Sequence, residues 1–81
     1  KALEAYTLSA ARAFAPRLRV NAVAPGAVLP PEDEAAREEA GAFPLSARPS
    51  VSQIAAAVRF LLEAESTTGQ ILFVDGGQHL L

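Results

Sequence analysis

The 81-residue sequence has no cysteine, methionine or tryptophan, and only one histidine and one tyrosine. The lack of cysteine excludes disulfides, thiolate metal sites and a cysteine nucleophile. A single histidine, His79, leaves no histidine-rich metal site, and any Ser-His-Asp triad would depend on that one residue. Positive charge is scarce as well. Seven Lys and Arg against nine Asp and Glu give a formal net charge of -2, so nucleic acid, whose phosphates demand clustered cations, is not an expected partner. Long apolar runs are missing because Pro25, Pro30 and Pro31 interrupt them, and nothing approaches the roughly 20 residues of a membrane helix. No leader pattern opens the chain, which makes the cytoplasm the default location. What remains is a composition of 51% hydrophobic and 20% charged residues, too apolar for disorder. The length is about half of an ordinary domain. Lys1 leads straight into helical sequence, with no Ser, Thr, Asp or Asn before Ala2 to cap it. The sequence is therefore expected to be part of something larger.

Four pieces follow one another. Lys1 to about Pro16 is rich in Ala and reads as a helix; Leu3, Tyr6, Ala10 and Phe14 fall on one face, and Tyr6 is expected in core or interface packing. Leu18 to Ala24 reads as a short, largely buried strand ended by Pro25-Gly26. Helix, turn and strand in this order imply a parallel sheet of the α/β class. Residues 25–49 form a long connection rich in Pro, Gly and acid, with a short helix expected from about Glu32 to Ala40; such a connection is usually a binding loop. Ser50 and Gln53 form a capping-box pattern ahead of a helix whose apolar face is Ile54, Val58, Leu61 and Leu62. Gln70 to Val74 reads as a second short strand. Asp75-Gly76-Gly77 should close it, with the Asp bonding its own backbone and the glycines supplying positive φ. Asn21 is expected to be a structural hydrogen-bonder, and His79 a surface or interface residue.

These pieces resemble the C-terminal half of the short-chain dehydrogenase/reductase family. Lys1-Ala2-Leu3 looks like the lysine of the Tyr-x-x-x-Lys motif and the start of its helix. Arg19-Val20-Asn21-Ala22-Val23-Ala24-Pro25-Gly26 is similar to the strand that ends in Pro-Gly beside the nicotinamide. Ile54 to Leu62 looks like the penultimate helix, and Thr68 to Leu72 with Val74-Asp75-Gly76-Gly77 resembles the last strand and closing turn. The match covers essentially the whole chain. Within the family, Pro25 to Glu32 and the Val74 to Gly77 ending look most like the pteridine reductases, although the family's common Thr near Pro30 is missing.

The resemblance implies the C-terminal half of a Rossmann-type, doubly wound parallel sheet, with 1–81 one part of a single NAD(P)-binding domain and 25–49 its substrate and cofactor loop. It implies Lys1 as the catalytic lysine and as a ligand of the cofactor ribose. Pro25, Gly26, Ala27 and Val28 would line the nicotinamide of NADPH or NADH, with Leu29 and Pro30 in the substrate loop. The implied partners are a small carbonyl or pterin substrate and further copies of the chain, commonly in a tetramer; no metal, membrane or nucleic acid is implied. The lysine's chemistry has a physical basis. An ammonium about 5 Å from a tyrosine, at an effective dielectric of about 20, contributes roughly 3 kcal/mol, or about two units of tyrosine pKa. That tyrosine would sit four positions before Lys1, and the catalytic serine and Gly-rich phosphate loop would also lie upstream. Two other readings stay open: a 3-oxoacyl or other carbonyl reductase of the same family, and a stand-alone, non-enzymatic helix-strand module. Circular dichroism and sedimentation separate the last, since a cooperative monomeric fold would favour the module. The isolated 81 residues are expected to show no NAD(P)H-dependent turnover in a spectrophotometric assay, and detectable turnover would overturn that expectation.

Overall fold

A computed structural model describes residues 2–26, 43–45 and 48–81. The short helix expected within the long connection lies outside the described residues. The elements in chain order are helix α1 (Ala2–Phe14), strand β1 (Ala22–Pro25), helix α2 (Val51–Glu63), strand β2 (Ile71–Val74) and a short 3-10 turn (Gln78–Leu80). Among the described residues no helix is long and apolar enough to cross a membrane.

The two strands pair in parallel, with Ala22 opposite Ile71, Val23 opposite Leu72, Ala24 opposite Phe73 and Pro25 opposite Val74. Successive side chains in a strand point to opposite faces. Ile71 and Phe73 share a cleft with Glu4 and Leu8 of α1. Val23, opposite Leu72, shares one with Val58, Leu61 and Leu62 of α2. The helices therefore cover opposite faces of the sheet, which is the helix–sheet–helix layering of α/β folds.

The face that α1 buries shares only Ala10 with the one expected. Its buried residues are Thr7, Ala10 and Ala11, while Leu3, Tyr6 and Phe14 are exposed, Tyr6 at 70%. Tyr6 is thus not a core residue. Small side chains win that position because they let the helix lie close to the sheet, and Thr7, only 2% exposed, satisfies its hydroxyl on the Leu3 carbonyl at 2.7 Å. On α2 the inward line is Ile54, Ala57 and Leu61, continued by the C-cap Ala64, with Leu61 buried. The expected Val58 and Leu62 are exposed, each one residue off that line. The capping box is formed as its pattern required: Ser50 Oγ accepts from the Gln53 amide at 3.2 Å, and Gln53 Oε1 accepts from the Ser50 amide at 3.3 Å.

Strand β1 begins four residues later than the apolar pattern suggested, because residues 19–21 bond to the turn between α2 and β2. Helix α2 has no basic residue in its last turn, and Ala64 follows it as C-cap, so its terminal carbonyls need donors from elsewhere. Arg19 supplies them. Its Nη1 donates to Leu61 O and Ala64 O at 2.8 Å each, and its Nη2 to Leu62 O at 2.9 Å. Beside it, Val20 N donates to Thr68 Oγ1 at 3.0 Å, and Gly69 N to Val20 O at 2.8 Å. Asn21 uses both ends of its amide, donating from Nδ2 to Thr67 O at 3.0 Å and accepting at Oδ1 from Gln70 N at 2.9 Å. The main-chain ladder starts only beyond this clamp, with Ala22 N on Gln70 O.

Arg19→Ala should destabilise the intact protein by about 1–2 kcal/mol in urea unfolding, since three charged hydrogen bonds to a partly exposed helix end are lost. Arg19→Lys should recover less than half of that loss, because an ammonium keeps the charge at the helix terminus but not the planar fork.

Candidate functional site

In an open parallel sheet the strand carboxyl ends form the edge that receives ligands. Here that edge is built by Pro25, the last residue of β1, with Gly26 after it, and by Asp75-Gly76-Gly77 after β2. Gly26 N donates to Val74 O at 3.2 Å, extending the ladder one step past the strand. A Cβ on Gly26 would lie 2.7 Å from Asp75 Cβ and 2.9 Å from its Cα. The glycine is therefore required by the neighbouring turn, a reason additional to the close ring approach that the resemblance suggests. Pro25 beside it is exposed and Gly26 is partly so.

The turn after β2 has the expected form, with Gly76 at φ 66° and Gly77 at φ 89°. Asp75, 6% exposed, accepts at Oδ1 from Gly77 N and at Oδ2 from His79 N, both at 3.0 Å. His79 turns out to be tied to this aspartate: its Nδ1 is 2.9 Å from each Asp75 oxygen. Its ring also stacks on Phe73, with centroids 4.2 Å apart. Burial pushes the Asp75 pKa up, but the hydrogen bond from the His79 side chain, the Gly77 and His79 amides and the charge of His79 together outweigh it. The carboxyl is held below its ordinary value.

The returning end of the long connection docks on the same turn. Leu45 N donates to Gly76 O at 3.0 Å, and a Cβ on Gly77 would lie 2.9 Å from Pro44. Phe43 is buried, with the Arg48 guanidinium 5.8 Å from its ring centre. A groove of about 610 Å³ runs along the turn, bordered by Pro44, Leu45, Arg48, Phe73, His79 and Leu80. A second cavity, of about 280 Å³, lies at the amino end of β1 and is walled by Arg19, Asn21, Leu61 and Leu62. That end of the sheet is occupied by the clamp.

Of the residues singled out from the sequence, Pro25 and Gly26 lie together at the carboxyl edge. Lys1, Ala27, Val28, Leu29 and Pro30 lie outside the described residues. Among the described residues Asn21 bonds to backbone at the opposite end of the strand, as a structural residue would. Sequence reasoning missed Arg19 and the Asp75–His79 pair. The signals were a helix end without its own cap and an Asp four residues before a His across a Gly-Gly turn.

Residues 1–79 match the family model described as enoyl-(acyl carrier protein) reductase. The chain is 44% identical over 82 residues to carbonyl reductase family member 4 of Danio rerio, covering 98% of this chain and 35% of that protein. It is 37% identical over 82 residues to dihydromonapterin reductase of Citrobacter koseri, covering 98% of this chain and 34% of that protein. Among solved structures, FolM alternative dihydrofolate reductase 1 from Brucella canis, complexed with NADP, superposes with a TM-score of 0.86 at 44% identity, covering 99% of this chain and 32% of the other. The chain thus spans about a third of the length of these relatives.

Because the Asp75 pKa is lowered in the folded protein, its contribution to stability is complete above the ordinary carboxylate pKa and is lost as pH falls through the lowered value. Asp75→Asn should therefore be less stable than the parent at pH 7, and the gap should close below about pH 4. Chemical unfolding of both proteins across pH checks this; a gap that widens in acid would contradict it.

Proposed function

The chain belongs to the short-chain dehydrogenase/reductase family, and from that membership we propose that it is the C-terminal part of an NAD(P)H-dependent reductase of C=O or C=N bonds, with a pterin as preferred substrate. The observation that carries the reading is the pairing of Pro25-Gly26 with the Asp75 turn at the carboxyl edge of a parallel sheet, the place where α/β folds hold a nicotinamide. The NADP held by the FolM structure and the reaction named for dihydromonapterin reductase support the cofactor and the substrate class.

The residues present fit one end of a dinucleotide. Pro25 is exposed at the edge and the bare backbone of Gly26 adjoins it, while the sequence holds no Gly-rich phosphate loop. Pro25, Gly26, Ala27 and Val28 would line the nicotinamide, which when bound supplies the hydride. Leu29 and Pro30 would border the substrate. Lys1 would hold the ribose hydroxyls with its three donors and, by its charge, lower the pKa of the tyrosine that delivers the proton. The exposed stripe of Leu3, Tyr6 and Phe14 on α1 supports assembly into a homo-oligomer, expected to be a tetramer.

A 3-oxoacyl reductase is the second reading, favoured by the family model's acyl carrier protein description. Assaying the complete protein with dihydrobiopterin against an acetoacetyl thioester separates the two, and we expect the higher kcat/KM on the pterin with NADPH. Lys1→Ala should lower kcat by about a hundredfold, matching the roughly 3 kcal/mol of its charge. Activity on neither substrate with either cofactor would overturn the proposal.

A further inference from the structure

The long connection leaves the sheet at Gly26 and returns at Phe43–Leu45, and both stems rest on one turn. On the entry side, Gly26 lies against the Cα and Cβ of Asp75, and a Cβ there would also come within 3.1 Å of Gln78 Oε1. On the exit side, Leu45 N is bonded to Gly76 O and Pro44 packs on the bare face of Gly77. The turn is itself held by one carboxylate, which takes the Gly77 amide, the His79 amide and the His79 ring nitrogen. We propose that Asp75 is a positioning residue for the cofactor edge: by closing the turn onto His79 it locks the two stems of residues 25–45 against each other, and so fixes where Pro25 and Gly26 stand.

The inference rests on the cofactor-edge role proposed above, but the mechanical part stands without it. Asp75 does not need to touch a ligand. Its oxygens point into the turn, and its effect passes through Gly76 and Gly77 on one side and through its own Cβ on the other. A strain introduced at one stem should therefore be felt at the other. Gly77→Ala would press on Pro44 at the exit and force a side chain into φ 89°, and the disturbance should reach Gly26 through Gly76, the one residue that separates Asp75 from position 77.

Amide hydrogen exchange and dinucleotide binding on the complete protein test this. In Asp75→Ala the Gly26 and Leu45 amides should both exchange about tenfold faster, the equivalent of one lost hydrogen bond, while the Gly69 amide at the clamp end is unchanged. The Kd for NADPH, followed by its fluorescence, should rise about fivefold or more and the KM for NADPH with it, with kcat moved less than twofold. His79→Gln, which keeps the His79 amide bond and removes the ring contact, should give the same pattern more weakly if Asp75→Ala fails to fold. Gly77→Ala should accelerate the distant Gly26 amide. Uniform acceleration of all amides, a response of one stem only, or a loss of kcat with NADPH binding unchanged would overturn the assignment. A parent protein that binds neither NADPH nor NADH would contradict the proposed function, while the exchange arm alone would still decide the anchoring.

Discussion

Parallel strands cannot be joined by a tight turn, so the register of β1 against β2 must be set by contacts between distant parts of the chain. The clamp formed by Arg19, Val20 and Asn21 does this, through side-chain bonds spanning 42 to 49 positions of sequence. One arm, Arg19, ties the start of β1 to the carbonyl end of α2. The other, Asn21, copies a strand partner with both ends of its amide across the Thr67–Gln70 turn. With the amino ends held in this way, the alignment of Pro25 with Val74 at the far ends follows, and the carboxyl edge takes a defined shape. Every feature of the candidate site is downstream of that register.

At the carboxyl edge the determining constraint is steric. Gly26 and Asp75 approach so closely that a methyl group at position 26 has nowhere to go. The closeness lets a short turn, bent by two positive-φ glycines and held by one carboxylate, serve as a common footing for two backbone stems. The Asp75 charge is well placed for that work. It is nearly buried, but three N–H groups face it, so the cost of desolvation is outweighed by hydrogen bonds. His79 contributes by position, with the face of its ring stacked on Phe73 and its Nδ1 held at the carboxylate.

Much of this architecture was legible in the amino-acid sequence. The capping box at Ser50 and Gln53, the glycine-bent turn after Val74 and the parallel helix–strand order are all local signals, and local signals survive folding. The four short motifs, in family order, also located the carboxyl edge at Pro25-Gly26. What was not legible depends on distant partners. The buried face of α1 runs through Thr7, Ala10 and Ala11, because close packing favours small residues over the larger stripe that periodicity picks out. Arg19 reads as an ordinary cation before a strand until the uncapped end of α2 is placed beside it. Gly26 invited an explanation by a ligand, and the space it must leave for Asp75 is visible only once the strands are paired.

The central claim is that this edge, set by the clamp and locked by the Asp75 turn, receives the nicotinamide. A crystal structure of the complete protein with bound NADPH tests it most directly. The account places the nicotinamide ring in van der Waals contact, within about 4 Å, of Pro25 and Gly26, with the Asp75–His79 pair intact behind them. A ring bound away from that edge, or a Gly26 displaced from Asp75 in the complex, would contradict it.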